Sequence, residues 1–131
     1  MTHGESILVI EDDSEMQELV KALLEMEGYS VFTATSGADA LKILRSEARL
    51  SLILLDRTLP DMAAPLFLER KRAENLADTT PIVFFSAAAD LELMKLPAGV
   101  VGAIQKPFPI QDLLKTVKTF KRSLTLSPQS P

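Results

Sequence analysis

The chain has 131 residues, of which 47% are hydrophobic and 24% charged, enough for one domain with its own core but not for two, and too apolar for extended disorder. It has no cysteine and a single histidine, His3, which excludes disulfide scaffolds, thiolate and multi-histidine metal sites, and cysteine or Ser-His nucleophile systems. A net charge of −4 argues against direct nucleic-acid binding, which usually needs a basic surface.

The opening MTHGES has no basic stretch and no long apolar run. The apolar runs Ile7–Ile10 and Leu52–Leu55 are strand-sized, whereas a membrane span takes about 20 apolar residues. A cytoplasmic protein with no membrane contact is the expectation. Ile7–Ile10 reads as a buried strand followed by Glu11, Asp12 and Asp13. Ser14 and Gln17 have the spacing of a capping box that opens a helix. Met16, Leu19, Val20, Leu23 and Leu24 then form an apolar stripe, and Gly28 is placed to end it. Tyr29–Ala34 reads as a second strand. Ser36 caps a helix running to about Ala48, with Ala40, Leu41 and Leu44 inward.

Leu52–Leu55 is a third strand, apolar on both faces and ending in Asp56; such continuity implies cover on both sides. A third helix starts near Ala63–Pro65 and buries Leu66, Phe67 and Leu68. Pro81–Phe85 is a fourth strand ending at Ser86. Within Ala87–Gly99, Asp90–Leu96 reads as a short or irregular helix before Pro97. Val100–Gln105 is a fifth strand ending at Lys106. The last helix runs from about Pro109 to Arg122 with Ile110, Leu113, Leu114, Val117 and Phe120 on one face, and Leu124–Pro131 is a Ser/Pro-rich tail.

Strands alternating with helices predict an α/β fold with a parallel sheet covered on both faces. In such sheets the chemistry collects at the carboxyl ends of the strands. Those ends carry Glu11, Asp12 and Asp13, then Asp56, then Ser86, then Lys106. Carboxylates crowded on one rim repel one another, and a divalent cation removes that penalty. An all-oxygen site suits Mg²⁺. A carboxylate beside the metal, a lysine and a hydroxyl is built to accept a phosphoryl group.

The blocks ILVIEDD (Ile7–Asp13), LILLDRTLPDM (Leu52–Met62), PIVFFSA (Pro81–Ala87) and KPF (Lys106–Phe108) stand in this order along the chain. In them the sequence resembles the receiver domain of bacterial response regulators, the fold of the chemotaxis regulator, over about Ser6–Arg122. The resemblance implies a flavodoxin-like (βα)5 three-layer sandwich with a five-stranded parallel sheet in the order 2-1-3-4-5. It divides the chain into an extension at 1–5, a receiver domain at 6–122 and a tail at 123–131. By the same resemblance Asp56 is the phosphoacceptor. Asp12 binds Mg²⁺ directly, Glu11 acts through a bound water and Thr58 offers its backbone carbonyl. Ser86 and Lys106 bind the phosphoryl group, and small Ala87 stands beside its entrance. The donor implied is a sensor histidine kinase or a phosphotransfer protein, and the output goes to another, unspecified protein, with room for a homodimer. Such a domain signals rather than turning over substrate, and catalyses only its own phosphorylation and dephosphorylation.

The sequence departs from the family pattern in places. The position three before the lysine, usually aromatic, is Ala103. The stretch from Ser86 to Lys106 is short and contains Pro97. Ala63–Ala64–Pro65 replaces the usual glycine turn, and Arg57 follows the acceptor directly. The expectation is retained phosphoryl acceptance with an unconventional output switch. The alternative is a pseudo-receiver that binds proteins independently of phosphorylation. A flavodoxin would need a Ser/Thr/Gly-rich loop after strand one, and a haloacid-dehalogenase-type phosphatase a second aspartate where Thr58 stands.

Overall fold

The computed structural model describes residues 5–46, 49–87 and 96–121. Apolar side chains on both faces require cover on both faces, and β3 (Leu50–Asp56), buried along its whole length, is the middle strand of the sheet. Around it β1 (Ser6–Ile10), β2 (Ser30–Ala34), β4 (Ile82–Ala87) and β5 (Val100–Lys106) run parallel, in the order β2-β1-β3-β4-β5. The helices among the described residues are α1 (Ser14–Met26), α2 (Gly37–Ser46), α3 (Ala64–Ala73) and α4 (Ile110–Phe120).

The two-residue period of the strands sorts the core into two halves. Leu8, Ile10, Ile53, Leu55 and Phe84 pack on Ala40, Leu41 and Leu44 of α2 and Phe67 of α3. Ile7, Val9, Leu52, Leu54, Val83 and Phe85 pack on Val20 and Leu24 of α1 and Leu113 and Val117 of α4. The result is the three-layer sandwich that the resemblance implied, with the same strand order.

Some local expectations shift. Asp13, not Ser14, caps α1: its carboxylate accepts the N–H groups of Glu15 (3.0 Å) and Met16 (3.2 Å). A carboxylate is a stronger acceptor at a helix N-terminus than a hydroxyl, so the helix begins at Ser14, one residue earlier than a Ser14 cap would place it. Gln17 is thereby released from the capping box. Its amide donates to the carbonyls of Glu11 (3.0 Å) and Ala34 (3.1 Å), stitching the ends of β1 and β2 together. Leu19 and Ile110 lie at the edges of their stripes and are about half exposed, while Val20, Leu24, Leu113 and Val117 at the centres are buried. Leu66 is likewise outside the core, and of its neighbours Phe67 is fully buried.

Other features follow the sequence reading. Gly28 ends α1 with φ +96°, a conformation costly for other residues. Ser36 Oγ accepts the N–H of Asp39 at 3.1 Å, as a cap of α2. The end of the second helix near Ala48, most of the Asp90–Leu96 helix, Arg122 and the tail lie outside the described residues.

One irregularity lies in the pairing of the last two strands. The β4–β5 register shifts between Ile82 and Val83, so that Ile82 pairs with Val100 but Val83 with Gly102. The extra residue turns Val101 outward and puts Val100 and Ala103 into the same half of the core. Phe67, at the centre of that half, is the test of how tightly it packs. Phe67→Ala should cost about 3–5 kcal/mol of stability, measured by urea unfolding followed by circular dichroism.

Candidate functional site

All five strands point the same way, so their carboxyl ends share one rim. β1 delivers Glu11 and Asp12, β3 ends on Asp56, β4 carries Ser86 and β5 ends on Lys106. The pairings Ile10↔Leu55, Asp56↔Phe85 and Ala87↔Lys106 bring these ends level. The backbone N–H of Glu11 is held by the carbonyl of Ala34 at 2.9 Å.

One carboxylate oxygen from each of Glu11, Asp12 and Asp56 lies within 4.8 Å of the others. Glu11 is fully buried, Asp56 nearly so, and Asp12 is exposed. Lys106 reaches into this group from β5. Its ammonium lies 2.7 Å from Glu11 Oε1 and 3.1 Å from Asp56 Oδ2. The other oxygen of Asp56, Oδ1, accepts the N–H of Thr58 at 3.0 Å and its hydroxyl at 3.3 Å. Asp56 is therefore oriented from two sides.

The electrostatics follow from burial and crowding. Burial, then the interaction with Asp56, raises the Glu11 carboxyl to about 7, against the lowering pull of Lys106. Burial also pushes Asp56 upward, but the hydrogen bonding of Glu11, the Thr58 N–H and Lys106 outweigh it and leave Asp56 below the usual carboxylate range. Burial lowers Lys106, and the two carboxylates more than reverse that. The pair of buried carboxyls thus has one counter-charge, Lys106, among the described residues. An additional cation among oxygens only, with one exposed carboxylate to admit it, is what this donor set fits, and hard divalent cations take such ligands.

Ser86 Oγ is buried and has no hydrogen-bond partner among the described residues. A hydroxyl left in this state costs about 1–3 kcal/mol, so its position is not explained by packing alone. Ala87 pairs with Lys106 in the sheet, and its side chain lies outside the described part of the structure. Ala103 is half-buried on β5 directly opposite Phe84. Arg57 sends its guanidinium over the Phe84 ring, 5.9 Å from the centroid.

The aromatic of the KPF block has a clear task. Phe108 stacks on Phe85, with centroids 5.5 Å apart and planes at 19°, and the Lys106 ammonium lies 5.8 Å from the Phe85 centroid. The Lys106–Pro107 peptide is cis. Asp61 was missed by sequence reasoning. Its carboxylate accepts the N–H groups of Gly37 and Ala38, each at 2.9 Å, from a distance of more than twenty residues. No local spacing signals such a pairing.

Comparison with known proteins decides the family. A family model described as the response regulator receiver domain matches residues 7–118. The chain belongs to the response-regulator receiver family. This receiver domain is 34% identical over 116 residues to the transcriptional regulatory protein CrdR of Helicobacter pylori, covering 87% of this chain and 54% of that protein. It is 30% identical over 118 residues to the transcriptional regulatory protein CpxR of Escherichia coli K12, covering 88% of this chain and 49% of that one. The chain spans about half the length of the curated relatives it matches. Among solved structures, the chemotaxis response regulator CheY4 of Vibrio cholerae superposes with a TM-score of 0.80 at 26% identity, over 88% of this chain and 98% of that one. The receiver domain of the hybrid histidine kinase CckA gives 0.73 at 28% identity, over 87% and 96%. The domain is therefore a signalling module of two-component systems. No helix among the described residues is long and apolar enough to cross a membrane.

The ion pairs make a prediction for stability. Lys106→Met keeps the apolar stem but strands two largely buried carboxylates. It should cost about 1–3 kcal/mol, discounted for the partial exposure of the lysine. Urea unfolding in chelator measures the loss, and adding Glu11→Gln should recover part of it.

Proposed function

We propose that this receiver domain accepts a phosphoryl group on Asp56 from a phosphohistidine, carried by a sensor histidine kinase or a phosphotransfer protein. The observation that carries this reading is the meeting of Asp56, Glu11, Asp12 and Lys106 at one rim, beside a buried Ser86 hydroxyl that has no partner among the described residues. In the transfer a carboxylate oxygen of Asp56 forms the new bond to phosphorus. The phosphorus–nitrogen bond of the donor breaks, and its electron pair stays with the imidazole.

Glu11, Asp12, Asp56 and the Thr58 carbonyl are the residues that would hold Mg²⁺, Glu11 through a water. When bound, the ion supplies positive charge to the phosphoryl oxygens. The residues of the chain do the rest. Thr58 fixes the Asp56 carboxylate through Oδ1. Lys106, held over Phe85, transfers its ammonium from Asp56 to the incoming oxygens. Ser86 donates its hydroxyl to the same oxygens. These groups serve the domain's own phosphorylation and the later hydrolysis, and no separate substrate is turned over. The receiver unit is taken as residues 6–122 in the cytoplasm, flanked by 1–5 and 123–131, with a protein as downstream partner. Glu5 pairs with Lys121, the residue that follows α4, at 2.6 Å.

The full chain incubated with acetyl phosphate and Mg²⁺ should gain the mass of one phosphoryl group. Asp56→Ala should gain none, and chelator should abolish the gain. Intact-mass spectrometry reads this without a fluorescent reporter, which suits a chain that lacks tryptophan. A wild-type chain that stays unmodified under these conditions supports the pseudo-receiver reading instead.

Ala103 favours an unconventional output within this function. A methyl group has no rotamer to swing, so the coupling carried by an aromatic elsewhere in the family does not run through this side chain. Amide spectra of phosphorylated wild type should change around Asp56 and little across residues 87–106, and Ala103→Tyr should spread the changes into that segment. Large changes there already in wild type would count against the idea.

A further inference from the structure

We propose that Asp61 is a positioning residue for the phosphoryl site: by clamping the loop after Asp56 to the N-terminus of α2, it holds Thr58 where it can orient the acceptor carboxylate. This rests on the reading above.

The loop leaves β3 at Asp56 and enters α3 at Ala64. Its two sides are joined at the base. Thr58 bridges Ala63, and the Ala64 N–H donates to the Arg57 carbonyl at 3.2 Å. A closed loop of this length still has a free tip, and the tip is what Asp61 captures. The first-turn N–H groups of a helix have no partner within the helix. In α2, Ser36 Oγ takes the one of Asp39. Asp61 takes the two that remain ahead of it, Gly37 through Oδ1 and Ala38 through Oδ2, each at 2.9 Å. Both bonds are charge-assisted, and the carboxylate sits at the positive end of the helix dipole.

Met62 adds a second contact at the same place. A Cβ built on Gly37 would lie 2.6 Å from Met62 Sδ and 2.7 Å from its Cγ. The absence of a side chain at Gly37 is what lets Met62 lie against the helix start. One polar and one apolar contact thus fasten the tip of the loop to α2.

The consequence reaches Asp56 through three bonds in series. Asp61 and Met62 fix the tip, the Thr58–Ala63 bridge transmits that to Thr58, and Thr58 holds Asp56 Oδ1. Asp61 touches no reacting atom. It acts by limiting where Thr58, with its N–H and carbonyl, sits relative to the carboxylates. Groups that orient a metal ligand from behind commonly change metal affinity by about tenfold or more when removed.

The test uses the full chain with Asp61→Ala, Asp61→Asn and Gly37→Ala, at a temperature where circular dichroism shows each variant folded. The first readout needs no metal. Amide hydrogen exchange at Thr58 should quicken about tenfold in Asp61→Ala, while Leu54 in β3 stays protected. The second is a Mg²⁺ titration followed by amide shifts. Affinity should fall about tenfold in Asp61→Ala, recover in part in Asp61→Asn, which keeps one acceptor oxygen, and fall in Gly37→Ala, which displaces Met62. Unchanged Thr58 exchange in Asp61→Ala overturns the proposal, whether or not wild type binds Mg²⁺. A merely structural role lowers the melting temperature and leaves Thr58 exchange and Mg²⁺ affinity at wild-type values. Failure of wild type itself to bind Mg²⁺ or gain mass from acetyl phosphate instead counts against the function proposed for the site.

Discussion

The molecule is organised around a conflict of charge at the end of its central strand. Burying Asp56 beside a fully buried Glu11 is unfavourable for two carboxylates, and the ammonium of Lys106 is the group that offsets it. Everything near the rim serves to bring that ammonium across two strands. The parallel sheet levels the strand ends, β4 lies between β3 and β5, and Phe85 on β4 gives the lysine a surface to cross. Phe108 stacked on Phe85 anchors the turn beyond it. Two buried carboxyls sharing one ammonium, and a Ser86 hydroxyl without a hydrogen-bond partner among the described residues, are unfavourable for stability.

The surroundings of the site are held by polar side chains that bond to backbone rather than to one another. Gln17 ties β1 to β2 directly below the acidic turn. Asp13 caps α1 at the end of the same turn. Asp61 fastens the loop after Asp56 to α2. Each satisfies N–H or C=O groups that helix and strand ends leave open, and each lies where the chain turns from strand to helix or back. The turns that carry the carboxylates are therefore tied to their neighbouring elements.

The side of the sheet that carries Ala103 is built differently. The shift of register between β4 and β5 places Val100 and Ala103 in one half of the core, and Phe84 lies opposite Ala103 with Arg57 above it. An aromatic is present in this region, but it belongs to β4 and is buried.

The alternation of strands and helices and the polar residues at the strand ends were legible in the amino-acid sequence because they rest on local signals, whereas the strand order came only with the resemblance to the receiver family and is the one the structure has. Continuous apolar runs mark buried strands, spacing of three and four marks helix faces, and the acidic, hydroxyl and lysine residues stand directly at strand ends. The position of Leu19 and Ile110 outside the core was not legible, since a stripe shows which residues are apolar but not how wide the covered band is. The choice of Asp13 over Ser14 as cap, the two carbonyls that Gln17 reaches, the capture of Gly37 and Ala38 by Asp61, and the shared hold of Lys106 on Glu11 and Asp56 were decided only by tertiary structure. These are contacts between segments far apart in the chain, and which donor finds which acceptor depends on distances that exist only once the sheet has formed.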